Sequence, residues 1–112
     1  MNRGDIILIN FPFTIPALSK VRPAVVITIT DDRFHDIVVC AISSVVPEHP
    51  SRHDMILRTT EPDFAQTGLR ADSVVKMDRI ATLRRADVIT TIGKCSPKLW
   101  QMIADSFRNL VA

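Results

Sequence analysis

Helical periodicity occurs in one place in this chain, at its C-terminal end, and that limits the fold more than any other feature. Ser96 suits a helix N-cap and Pro97 suits the first helical position. Trp100, Ile103, Phe107 and Leu110 then recur at spacings of three and four, which makes an amphipathic helix packed against a core or a second copy. Everything before Ser96 reads as short β-type runs separated by turn signals. Asp5 to Phe11 is the first, and Phe11-Pro-Phe-Thr-Ile-Pro16 ends it, because proline cannot donate to a ladder. Residues 17–21 form a loop. Ala24 to Ile29 is a buried strand, Thr30 to Asp36 a turn, and Ile37 to Ser43 the next strand. Val45 to Asp54 reads as a surface loop and Met55 to Arg58 as a short strand. Thr59 to Ala71 is loop-like, Ser73 to Leu83 is a long strand pattern, and Val88 to Cys95 another. Short strands, one late helix and only 3 glycines predict a mainly β fold: a small SH3-like barrel closed by a C-terminal α-helix.

The 112 residues, 46% of them hydrophobic, suffice for one core, so residues 1–112 form a single domain. No window approaches the ~20 apolar residues of a membrane span, and no membrane partner is expected. Met1-Asn-Arg-Gly-Asp5 carries an acid before any apolar run, unlike a secretory leader, so the expected location is cytoplasmic. A net charge of +2 permits a nucleic-acid partner without arguing for one. Cys40 and Cys95 lie in apolar strand-like surroundings and read as buried free thiols. His49 and His53 lie beside Glu48 and Asp54 in a prolyl loop that reads as solvated, so no metal and no cofactor are expected.

Two geometric statements follow from the pattern. The turn between Ala24–Ile29 and Ile37–Ser43 centres near Asp32 and Arg33. Reflecting Arg22 through that centre lands on Ser43 or Ser44. Cross-strand partners have Cβ atoms about 5 Å apart, so Arg22 and Ser43 should meet unless a bulge shifts the register. In a regular strand from Ser73, Val74, Lys76 and Asp78 share one face, which makes Lys76 and Asp78 neighbours. A guanidinium, a hydroxyl, an ammonium and a carboxylate are then available on one small scaffold. That set can cleave a phosphodiester without a metal.

The chain resembles the MazF/PemK toxins of type II toxin–antitoxin modules. The resemblance rests on six pieces in family order: Gly4-Asp5, Phe11-Pro-Phe-Thr14, Val21-Arg-Pro-Ala-Val-Val26, Cys40-Ala-Ile-Ser-Ser44, Asp72-Ser-Val-Val-Lys-Met-Asp78 and Ile92-Gly-Lys-Cys-Ser96. It implies an SH3-like barrel, a homodimer, and a metal-independent endoribonuclease that cuts single-stranded RNA and is inhibited by a cognate antitoxin. By motif match the catalytic residues would be Arg22, Ser43, Lys76 and Asp78. Many members carry threonine at position 43, proline at 41 and arginine at 76. Serine keeps the hydroxyl without the methyl that fixes its rotamer, and lysine keeps the charge without the bidentate fork.

The chemistry so implied is attack of the RNA 2′-hydroxyl on the adjacent phosphate, giving a 2′,3′-cyclic phosphate and a free 5′-hydroxyl. Arg22 would hold phosphate oxygens, Ser43 would bind another, and Asp78 would be the base, kept ionised by Lys76. Ser19, Lys20, Ser44 and Arg70 are the candidate RNA-binding residues, reading splayed bases on the groove loops. Two other functions compete. A gyrase-poison-like toxin of related fold would act through its C-terminal tail, but the ending Asn109-Leu-Val-Ala112 lacks the Trp-Gly-Ile of that group. A non-catalytic nucleic-acid-binding barrel would bind RNA without cutting it.

Overall fold

The computed structural model describes residues 1–10 and 21–112, and the chain is mainly β. Among the described residues, six strands, β1 (Asp5–Asn10), β2 (Val21–Ile29), β3 (Ile37–Ser43), β4 (Asp54–Leu57), β5 (Ser73–Leu83) and β6 (Val88–Lys94), precede one α-helix, α1 (Pro97–Val111). All pairings are antiparallel, in the order β4-β5-β3-β2-β1-β6. Strands and helix fall where the periodicity predicts them, within a few residues. One part of the barrel expectation needs correction: the sheet is not closed, because β4 and β6 are its two edges. β4 has only 4 residues and is spent on β5. Next to β6 lies a turn instead of a strand: a short 3₁₀ segment, Ala65–Thr67, with Gly68 after it in left-handed conformation (φ 75°).

Both faces of the central strands are buried, so β2 and β3 read as near-continuous apolar runs. Val25, Ile27, Cys40, Ile42, Val75 and Met77 face one core with Ile6, Phe64, Leu99 and Ile103 of α1. Ala24, Val26, Ile37 and Val39 face a second core with Ile7, Ile9, Ala81 and Leu83. α1 begins as its sequence dictates: the Ser96 hydroxyl accepts the Leu99 N–H (3.0 Å) and donates to Asp63 (2.5 Å). Such a cap is worth about 1 kcal/mol. Ile103 is fully buried, and Trp100 and Phe107 pack against the first core half-covered. Cys40 and Cys95 are buried and unbridged, and burial first, then nearby aspartates, pushes both thiols up to about 12. Thiols held protonated in this way are poor nucleophiles. Among the described residues no helix is long and apolar enough to cross a membrane.

β5 is not one regular strand. Its pairing with β3 runs Ile37–Leu83 to Cys40–Ile80, then resumes at Ala41–Lys76. Met77, Asp78 and Arg79 have no partner on β3 and form a bulge. An odd number of extra residues reverses the alternation. Val75 and Met77 therefore face the helix-side core, while Ala81 and Leu83, also odd-numbered, face the other one.

Candidate functional site

The β2–β3 register places Ala24 opposite Ala41, Val25 opposite Cys40 and Val26 opposite Val39; an irregularity follows at Ile27, on the turn side. The pairing ends at Ala24–Ala41, and the backbone supplies a reason. The Val26 carbonyl accepts the Gly4 N–H, on the β1 side. Even-numbered residues of this part of β2 thus direct their backbone groups toward β1, and Pro23 directs its own toward β3, where a proline has no hydrogen to give. Continued two residues without a shift, the register sets Arg22 across from Ser43, about 5 Å between neighbouring strands. Arg22 shares its face with Ala24, and Ser43 with Ala41.

Lys76 joins the same face from β5. It pairs with Ala41 on one side and Asp54 of β4 on the other, while Val74 pairs with Ser43. Arg22, Ser43 and Lys76 thus stand on three adjacent strands, with the small side chains of Ala24 and Ala41 between them. Arg22 and Ser43 are half-buried, and the Lys76 side chain is 30% exposed. The Ser43 Oγ accepts the Val45 N–H (3.1 Å), which leaves its own proton free to donate.

Lys76 and Asp78 do not form the neighbouring pair that regular alternation predicts. The bulge begins immediately after Lys76, and the carboxylate beside the ammonium is that of Asp54, at 3.4 Å. Asp54 had no signal in the sequence, where it closed a loop. Its side chain is only 5% exposed. Burial would raise its pKa, but the Ser51 N–H (2.9 Å) and the Lys76 ammonium outweigh that and hold the carboxyl below its ordinary value. Asp78 is exposed in the bulge and makes no ion pair among the described residues.

The depressed Asp54 pKa makes a pH prediction. A carboxyl whose folded pKa lies below the unfolded value of ~3.9 adds stability above that pH, and loses it as the pH falls through the folded value. The stability gap between the parent protein and Asp54→Asn should be constant from neutral pH down to about 5 and shrink below ~4. Urea denaturation at a series of acid pH values measures it. A gap that stays constant below pH ~3 contradicts the assignment.

The remaining candidates scatter. Ser44 is exposed in the bend after β3. Arg70 lines a separate cleft of about 280 Å³ with Leu8, Pro23, Gly68, Leu69 and Ile92. Pro23 alternates with Arg22, so this cleft opens on the other side of β2 and Arg70 is not grouped with the Arg22 face. Ser19 and Lys20 lie outside the described residues. Asp72, which opens the last motif before β5, accepts the Thr59 N–H (2.7 Å) and an Arg58 N–H (3.3 Å), joining the end of β4 to the start of β5. The Thr59 bond first, and Arg58 after it, hold its carboxyl low.

The family model of PemK-like, MazF-like toxins of type II toxin–antitoxin systems matches residues 2–111. The chain belongs to that family. Solved structures of the same fold include an endoribonuclease from a mycobacterial species in complex with its cognate antitoxin, at TM-score 0.71 and 13% identity over 99% of this chain and 94% of that one. Toxin MazF-mt6 of Mycobacterium tuberculosis aligns at TM-score 0.68 and 19% identity, over 96% and 95% of the two chains. MazF from Deinococcus radiodurans aligns at TM-score 0.69 and 16% identity, over 99% and 96%. No curated protein sequence matches the chain.

Proposed function

We propose that this type II toxin is a metal-independent endoribonuclease cutting single-stranded RNA at the Arg22–Ser43–Lys76 face. The observation that carries the reading is the register: two cations and a free hydroxyl proton on three adjacent strands, over a floor of two alanines. In the reaction the 2′-hydroxyl oxygen bonds to phosphorus while its proton passes to a base. The bond from phosphorus to the 5′-oxygen breaks, and that oxygen takes up a proton. Negative charge builds on the phosphoryl oxygens between these events.

Arg22 offers parallel N–H donors, in a rigid planar fork, matched to two phosphate oxygens. Lys76 adds a second positive charge. Ser43 donates its hydroxyl proton. By family match the 2′-hydroxyl proton would pass to Asp78, exposed in the bulge that follows Lys76; both oxygens of Asp54 are engaged, one by the Ser51 N–H and one by Lys76. Family membership further supports a homodimer, a cytoplasmic site of action, and a cognate antitoxin that covers this face.

Purified protein incubated with end-labelled single-stranded RNA in EDTA tests the proposal. The expected products end in 2′,3′-cyclic phosphate and 5′-hydroxyl. RNA bound but left intact would favour a non-catalytic binding module.

A further inference from the structure

We infer that Asp54 is a positioning residue, fixing the Lys76 ammonium over the phosphate-binding face. The inference rests on the proposed ribonuclease reading and adds to it a residue from a different strand.

The geometry is specific. Asp54 opens the edge strand β4 and stands directly across from Lys76. Its two oxygens are divided between two tasks. Oδ2 accepts the Ser51 N–H at 2.9 Å, while Oδ1 faces Lys76 Nζ at 3.4 Å. The Asp54 N–H in turn donates to the Ser51 carbonyl (3.1 Å), and the Met77 N–H donates to the His53 carbonyl (3.0 Å). The carboxylate is therefore held by its own turn, and the backbone on either side of the Asp54–Lys76 pair is pinned.

A lysine has a flexible stem and a strongly hydrated head; unanchored, it samples solvent. Arginine loses less freedom on reaching a phosphate, because its fork is rigid. Position 76 holds lysine, and the structure supplies from outside the order that the side chain lacks. Stability alone is a weak account of the pair. A carboxylate this well covered is expensive to desolvate, and a lysine facing it repays much of that cost at best. The Lys76 side chain is 30% exposed, and an ammonium has three N–H donors, so N–H bonds beyond the one turned to Asp54 remain for a ligand.

A double-mutant cycle tests the inference. Asp54→Asn keeps the shape of the side chain and should lower kcat by ~10–100-fold, with KM changed less than about twofold, the scale of a displaced catalytic group. In a Lys76→Met background the same change should have no further effect, since Asp54 acts through Lys76. Equal losses in both backgrounds, or an unchanged kcat, would overturn the inference. A second reading needs no activity. NMR relaxation of the Lys76 Cε and Nζ groups should show a more mobile side chain in Asp54→Asn than in the parent. If the parent fails to cut RNA while this NMR difference appears, the ribonuclease proposal falls and the positioning role stands. Identical Lys76 spectra and relaxation in the two proteins refute the positioning role whatever the activity.

Discussion

Arg22→Ala should lose about 10²–10³-fold in kcat on single-stranded RNA, the usual cost of removing one well-aimed donor from a developing oxyanion. The fold should survive. Arg22 is half-buried at the start of β2, outside both cores, and surface changes of this kind cost about 0.5 kcal/mol or less. Arg22→Lys separates charge from shape: it keeps the cation and gives up the fork, so its activity should fall between parent and alanine variant. Initial rates under EDTA, with circular dichroism to verify folding, decide the matter. Undiminished cleavage by a folded Arg22→Ala protein would remove Arg22 from the chemistry.

The largest loss of stability should come from a place with no charged group at all. Gly68 and Gly93 bring two backbones into contact where the turn after Phe64 meets β6. A Cβ on Gly93 would stand 2.3 Å from the Thr67 carbonyl carbon and 2.4 Å from the Gln66 oxygen. One on Gly68 would stand 2.1 Å from the Ile92 oxygen, and its φ of +75° penalises any side chain as well. Neither obstacle is a side chain that can rotate away. Gly93→Ala and Gly68→Ala should each cost about 3 kcal/mol or more, through forced separation of turn and strand. Gly4→Ala is the control: its φ of +88° is unfavourable, but the nearest atom, Trp100 Cε3, is 3.4 Å away, so about 1–2 kcal/mol is expected. Urea midpoints at unchanged m-value measure all three. Equal effects at Gly4 and Gly93 would mean that the close approach is not what the glycines serve.

The parts of this molecule that a reader of the sequence can reach are those governed by local rules. Ser96-Pro97 marks the start of α1 because a cap and a fixed φ act within a few residues. The β2–β3 register, which extended by two residues sets Arg22 across from Ser43, is reachable because a short hairpin has a centre through which positions can be reflected. The irregularity at Ile27 leaves the register beyond it where that reflection puts it. Two features had no such handle. A 15-residue connection separates β4 from β5, so nothing in it fixes which residue of β4 meets Lys76, and Asp54 stayed hidden. The bulge at Met77–Arg79 leaves the run of strand-forming residues unbroken, and alternation carried through it paired Lys76 with the wrong carboxylate. Closure of the sheet has no handle in the sequence for a related reason: whether two edge strands meet depends on curvature and strand length across the whole sheet, which no local pattern encodes.

The three unpaired residues in β5 also dictate what lengths this segment tolerates. Deleting one of them would leave an even number, and every side chain beyond would turn over. Ala81 and Leu83 would leave their core, with Thr82 driven inward in their stead. Deleting all three would have the same consequence, while deleting two would restore the native parity with a tighter kink. Related chains that keep both cores should therefore vary in length here by two residues at a time, and a lone insertion in this stretch should mark a protein that packs its second core differently.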